Sequence, residues 1–394
     1  MDPRRGRVIM LTAIPKVFLH GRDGMFLELW EWCSSGAMSE RVQAIQAMRG
    51  IAATMVVAGH LSIMANDVSG HAPFFGTIMS VTKTFGHAGV DVFFVISGAI
   101  MFMITQSPRH SAATAETVDF LLRRLLRIYP LFWVTLAVMV LGVGNAFPDT
   151  ALAAFRSLAL VDMPPAHPVA WTMVFEVRFY VEVAAVILFF HGRMGRAFLL
   201  WAALEILAVV ATSYGKLPLV WISHPLMLEF VMGTGVGYLV SRKFTGGAPA
   251  ALALGLAGFV YTAAFVFDGQ NVEAIRVWGY GLPAAIILYA FVAMEMRRTV
   301  RVPLWLSNLG EASYSLYLWH LPIFLLWLPH WLQGGTSGGF GFAISATLTL
   351  AVVAALSYRF IERPFIALAA MRFRSHPQFP TDGKVLPPIG SISK

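Results

Sequence analysis

The chain has 394 residues, of which 57% are hydrophobic and 13% charged, with a mean hydropathy of +0.69. That composition excludes an ordinary soluble globular domain and indicates an integral membrane protein. A single cysteine, Cys33, excludes an intramolecular disulfide and a cysteine metal cluster, and the net charge of +8 comes from arginines in short clusters between apolar runs, a pattern of orientation signals rather than of a nucleic-acid surface.

Residues 1–39 hold scattered arginines and no uninterrupted apolar core, so they read as an extension that is neither signal peptide nor span, with Met38 the expected functional start. Windows of about 20 apolar residues then predict ten helical spans, at 45–64, 86–104, 128–147, 171–190, 197–213, 226–240, 250–267, 277–294, 304–328 and 340–358. The expected fold is an all-α integral membrane protein with one transmembrane domain over 40–366. Pro322 makes the span over 304–328 a candidate for interruption. Connections are short except at 65–85 and 148–170, and the proline-bearing tail over 367–394 is expected to be disordered. With a cytoplasmic N-terminus, 24 of the 29 Lys and Arg residues fall on the cytoplasmic side. Both ends are therefore expected inside, which agrees with an even number of spans.

The first span carries Arg49 at its start and His60 eleven residues later. Eleven helical steps make three turns plus roughly 20° and rise ~16 Å, so the two share a face, and in a ~30 Å hydrocarbon core His60 lies near mid-depth. Charged and titratable groups in such a segment point to function. Neutral imidazole takes a proton from a hydroxyl near pH 7, the work of a general base; a core histidine bonded across helices is the alternative. Glu176 and Asp91, each five residues into an expected span, reach a similar depth and compete for the role of orienting His60.

Further along, Arg123 and Arg127 are four apart on a helix at the cytoplasmic surface, a fork suited to phosphates, with lipid headgroups the alternative. In Phe93-Phe94-x-x-Ser97-Gly98 the small residues either let helices approach closely or leave a narrow apolar slot for a substrate's arm, lined by Phe94 and Ser97. Arg178 pairs with Glu182, four residues on, or serves substrate. Trp171, Tyr180, Tyr317 and Trp319 are candidates for stacking on sugar rings or for interfacial anchoring. His320, about 16 residues into its span and so ~24 Å up, is expected nearer the outer surface than His60, lining the acceptor side or capping the helix.

Six stretches occur in order: Arg49-x10-His60, GVDVFFVISG from Gly89, RRLLRIYP from Arg123, WTMVFEVRFY from Trp171, SYSLYLWH from Ser313 and YRFIERP from Tyr358. Together they resemble the membrane-bound acyltransferase 3 family, which includes bacterial O-antigen, nodulation-factor and exopolysaccharide O-acylases. Where many members have a Glu-Glu-Gln run, this chain has Glu176, Val177 and Arg178, more like the exopolysaccharide-type branch. The resemblance implies a multi-pass protein of the bacterial inner membrane. It would transfer an acyl group, expected to be acetyl, from cytoplasmic acyl-CoA to a carbohydrate or lipid-linked glycan.

On this reading the donor phosphates rest on Arg123, Arg127 and Arg49, His60 acts as base, and no tightly bound cofactor or metal is needed. With no G-x-S-x-G elbow and Cys33 outside the spans, direct attack on the thioester is simpler than an acyl-enzyme. A transporter or flippase of sugar-containing lipids is the competing class; it would show two related halves, which the sequence lacks.

Overall fold

A computed structural model of the chain describes residues 43–108, 110–161, 165–213, 224–266 and 273–372. The expected extension over 1–39 lies outside them. Among the described residues all regular structure is helical. The α-helices are α1 (Gln43–Val68), α2 (Pro73–Thr105), α3 (Ala113–Leu141), α4 (Ala151–Leu158), α5 (Trp171–Phe190), α6 (Met194–Ser213) and α7 (Met227–Ser241). They continue as α8 (Ala248–Tyr261), α9 (Glu273–Arg276), α10 (Leu282–Met296), α11 (Leu304–Glu311), α12 (Ser313–Trp327), α13 (Gly335–Ser357) and α14 (Arg363–Arg372). Helix α14 occupies the start of the expected tail, and the rest of that tail lies outside the described residues.

Among the described residues seven helical stretches are long and apolar enough to cross a bilayer: Gln43–Val68, Pro73–Thr105, Ala113–Leu141, Met194–Thr212, Ala248–Val266, Val277–Met296 and Gly335–Met371. The three remaining expected spans coincide with helices of another kind. Helix α5 carries Glu176, Arg178 and Glu182, while α7 and α12 have 15 residues each.

Two expectations about helix boundaries need correction. The segment over 65–85 is not a long connection: α1 continues to Val68, a tight turn with Gly70 and His71 at positive φ follows, and Pro73 opens α2. Proline suits a helix start. Within this polar stretch Thr77, Ser80 and Thr82 each satisfy their hydroxyl on a carbonyl three or four residues back. The expected span over 304–328 is divided, at Ala312 rather than at Pro322, which α12 contains. At the junction Gly310 packs on the Gln46 backbone, and Glu311 accepts a 2.6 Å hydrogen bond from Tyr358 Oη.

The interior is built on α1 and α2, whose backbones meet at Gly59 and Gly86, where an added Cβ would lie 3.0 Å from the facing Cα. Helix α2 makes a second such contact with α7, where Gly98 faces the Phe230 carbonyl and Gly233 faces the Val95 carbonyl. Small residues at crossings let membrane helices gain contact through their backbones. Beside the tight α1–α2–α7 core, residues of α1, α2, α3, α5 and α12 enclose an internal opening.

Candidate functional site

That opening is a narrow cavity of about 70 Å³. Its polar wall consists of Arg49 from α1, Ser97 from α2, Arg124 and Arg127 from α3, Glu176 and Tyr180 from α5, and Ser313, Tyr314 and Tyr317 from α12. Phe93, Phe94, Ile100 and Met173 contribute apolar surface. Arg49, Phe94, Ser97, Arg127, Glu176, Tyr180 and Tyr317, singled out from the sequence, are thus brought together.

Arg49 is 8% exposed and interacts electrostatically with Arg127, Glu362 and Glu176. Glu362, in the π-helical turn after α13, accepts a 2.9 Å hydrogen bond from Ser315 Oγ. Tyr180 donates its hydroxyl to Glu176, and Tyr314 donates to the Ile128 carbonyl at 2.6 Å. Arg124 lies over the rings of Phe120 and Tyr180, at 5.8 and 5.9 Å. Three guanidiniums against two carboxylates give this end of the cavity a cationic excess.

Arg123 departs from expectation. Its Nε donates to Asp119 Oδ1 at 2.8 Å, so the cavity pair is Arg124 and Arg127, three residues apart. Residues at i+3 and i+4 both share a helix face. The signal that separates the two candidates is Asp119, four residues before Arg123 and ready to claim it.

The other end of the cavity is closed by Tyr317, whose hydroxyl contacts the Val169 carbonyl and Thr172 Oγ1, each at 2.8 Å. One turn further along α12 lies His320, whose ring centroid is 5.0 Å from that of His60. This overturns the expected depth of His320. Because the helix restarts at Ser313, His320 lies level with His60 instead of well above it. Both imidazoles direct Nδ1 at a carbonyl, His60 at Val56 (3.0 Å) and His320 at Tyr317 (2.5 Å). A carbonyl only accepts, so the hydrogen sits on Nδ1 and each Nε2 carries a lone pair. His320 is fully buried, and its Nε2 has no hydrogen-bond partner among the described residues.

The carboxylates expected to orient His60 are engaged elsewhere. Glu176 bonds Tyr180 within the cavity, and Asp91, fully buried, accepts from Arg276 Nη2 at 2.8 Å. Val56 orients His60 instead. Arg178 faces α6, bonded to Glu182 at 2.7 Å and to Glu205 at 3.1 Å, with Trp201 Nε1 donating to Glu182. It therefore braces α5 against α6 and points away from the cavity. Trp319 is tied to Ser357 Oγ at 2.9 Å, while Trp171 lines an open recess with Phe147, Asp149 and Pro168. Among the described residues no group of three or more His, Cys, Asp or Glu side chains could hold a metal ion.

Clustered guanidiniums, a histidine pair and seven membrane-length helices define a multi-pass membrane protein with an internal site. Residues 42–358 match the family model described as an acyltransferase domain, and the chain belongs to this acyltransferase 3 family. It is 30% identical over 301 residues to the exopolysaccharide production protein ExoZ of Rhizobium meliloti, covering 72% of this chain and 90% of ExoZ. Over 377 residues it is 24% identical to the peptidoglycan O-acetyltransferase OatA of Listeria monocytogenes, covering 82% of this chain and 55% of that protein. It is also 24% identical over 325 residues to the O-acetyltransferase OatA of Staphylococcus aureus, covering 71% of this chain and 52% of the relative. The chain thus spans about half the length of the OatA proteins. No solved structure matches it.

Proposed function

We propose that this protein is an acyl-CoA-dependent O-acyltransferase of the bacterial inner membrane, with ten spans and both ends cytoplasmic, that acylates a carbohydrate hydroxyl. The observation that carries this reading is the polarity of the cavity. Arg49, Arg124 and Arg127 form a cationic end suited to the donor's phosphates, and the apolar walls lead to Tyr317 and the His60–His320 pair. ExoZ, as an exopolysaccharide production protein, and the OatA O-acetyltransferases support acetyl as the group moved and a polysaccharide or its lipid-linked precursor as acceptor.

In this mechanism His60 Nε2 takes the proton of the acceptor hydroxyl as its oxygen attacks the thioester carbonyl. The tetrahedral intermediate collapses, the C–S bond breaks, and the proton passes from the imidazolium to the departing thiolate. Glu176 and Glu362 balance the guanidiniums and keep them aligned while the site is empty. Trp171, on the recess side of Tyr317, faces the incoming sugar.

The test is release of free CoA thiol from acetyl-CoA by purified protein, with and without a glycoside acceptor. Acceptor-dependent release is the expected result. A transporter would release none, and that result would remove the proposal.

A further inference from the structure

A second buried polar cluster, separate from the cavity, joins α2, α7 and α9. Asp91 and Glu229 are each 0% exposed, and Asp91 Oδ1 is bonded to Arg276 Nη2. The remaining oxygen of Asp91 and both oxygens of Glu229 are buried without a hydrogen-bond partner among the described residues. The two carboxyl groups nonetheless interact with each other, across the packing of α2 on α7. Gly281 makes room for this arrangement, since a Cβ there would come within 2.7 Å of Glu229 Cγ. The hydroxyl of Tyr280 and the charge of Arg276 are the other groups acting on the pair.

Charge balance decides what state the cluster adopts. Two carboxylates against one guanidinium leave a net negative charge in a low-dielectric interior, and an unbalanced buried charge is strongly unfavourable. Two carboxylates are also acceptors only, so they cannot bond each other; with one proton between them they can. Asp91 already accepts from Arg276, which favours its charged form. Glu229 has no cation of its own in contact. The guanidinium held in this way stands 5.6 Å from the ring centroid of Trp171, and its charge reaches Tyr317 at the end of the cavity.

We infer that Glu229 is a neutral carboxylic acid in the folded protein, donating its hydroxyl hydrogen to Asp91, and that the Glu229–Asp91–Arg276 triad is a positioning device holding the guanidinium on Trp171. Assigning Trp171 to the acceptor side rests on the function proposed above. These three are positioning residues: none of them lines the cavity or contacts His60. Removing the Asp91 carboxylate releases Arg276 from Trp171 and loosens the acceptor side, while the guanidinium end that receives the donor is untouched.

Infrared difference spectra of the full-length protein, wild type minus Glu229→Gln, test the first part. At neutral pH they are expected to contain the C=O stretch of a protonated carboxyl that the variant lacks. Kinetics with acetyl-CoA as donor and octyl β-D-glucoside as acceptor test the second. Asp91→Asn and Arg276→Gln are each expected to raise the acceptor KM about tenfold with the donor KM within about twofold. Glu229→Gln, the isostere of the neutral acid, is expected to keep both constants within about twofold. If Asp91→Asn does not fold, Arg276→Gln decides the kinetic question. A missing carboxyl band overturns the protonation, and donor and acceptor constants that move together, or do not move, overturn the positioning role. The spectra need no turnover, so wild-type protein that releases no CoA would remove the proposed function while the band still decides the state of Glu229.

Discussion

His60 and His320 face each other with ring centroids 5.0 Å apart, each with Nδ1 turned to a backbone carbonyl of its own helix. With the hydrogen on Nδ1, each ring carries its lone pair on Nε2. His60→Ala is expected to lower transfer by about two to four orders of magnitude, the usual contribution of a general base, with unchanged insertion and thermal unfolding. His320→Ala is expected to lower it as well. Turnover of either variant near the wild-type rate, measured as CoA release, would contradict the role given to that ring.

The three neighbouring arginines of α3 are expected to separate cleanly. Arg124→Ala and Arg127→Ala should each raise the KM for acetyl-CoA about tenfold or more, because each removes a guanidinium from the cationic end. Arg123→Ala should leave that constant nearly unchanged and lower the unfolding temperature instead, since it removes the 2.8 Å ion pair of Asp119, which is 1% exposed. Donor kinetics and melting curves of the three variants distinguish these outcomes.

Ser97 and Gly98 are adjacent but serve different faces of α2. Ser97 lines the cavity, whereas Gly98 is pressed against the Phe230 carbonyl of α7. Ser97→Leu is expected to weaken donor use in a protein that still folds. Gly98→Leu must push α2 and α7 apart, and overpacking of this kind costs about 1–3 kcal/mol or more. The yield of folded protein in detergent, measured beside donor KM, reads the contrast.

Arg178 bonds two carboxylates on α5 and α6. Arg178→Met leaves Glu182 and Glu205 facing each other without a cation, which for a buried cluster costs about 3–5 kcal/mol. Thermal unfolding should show the loss. The double variant Arg178→Met with Glu205→Gln is expected to recover part of it, because the repulsion is then removed.

How far the site is legible in sequence depends on the range of its contacts. The Arg178–Glu182 pair is readable because four residues make one helical turn. The grouping of Arg49, Phe94, Ser97, Arg127 and Glu176 follows from helix depth and from motif resemblance. The partner of Asp91 is not readable, because Arg276 lies 185 positions away and tertiary packing brings them together. His320 was misplaced in depth for a local reason: hydropathy over 304–328 is continuous, while the break at Ala312 answers to Gly310 and Glu311 meeting Gln46 and Tyr358. Arg124 and Arg123 differ only by one helical step, and the choice between them needs Asp119. Tyr314 and Glu362 lie in stretches that the motifs already mark, yet their roles emerge only from the neighbours they meet.

The hydrogen bond from Tyr314 to the Ile128 carbonyl joins positions 186 residues apart, and that between Thr172 and Tyr317 spans 145. Synthesis delivers α1, α2, α3 and α5 to the bilayer long before α12, so the early helices wait without the wall that completes their cavity. Their own pairing, through Gly59 and Gly86, needs no such delay. A nascent chain arrested before Ser313 would hold an inserted bundle with its arginines already placed and no closed site between them. Closure of the site thereby waits for α12, whose Tyr314 and Tyr317 supply these bonds.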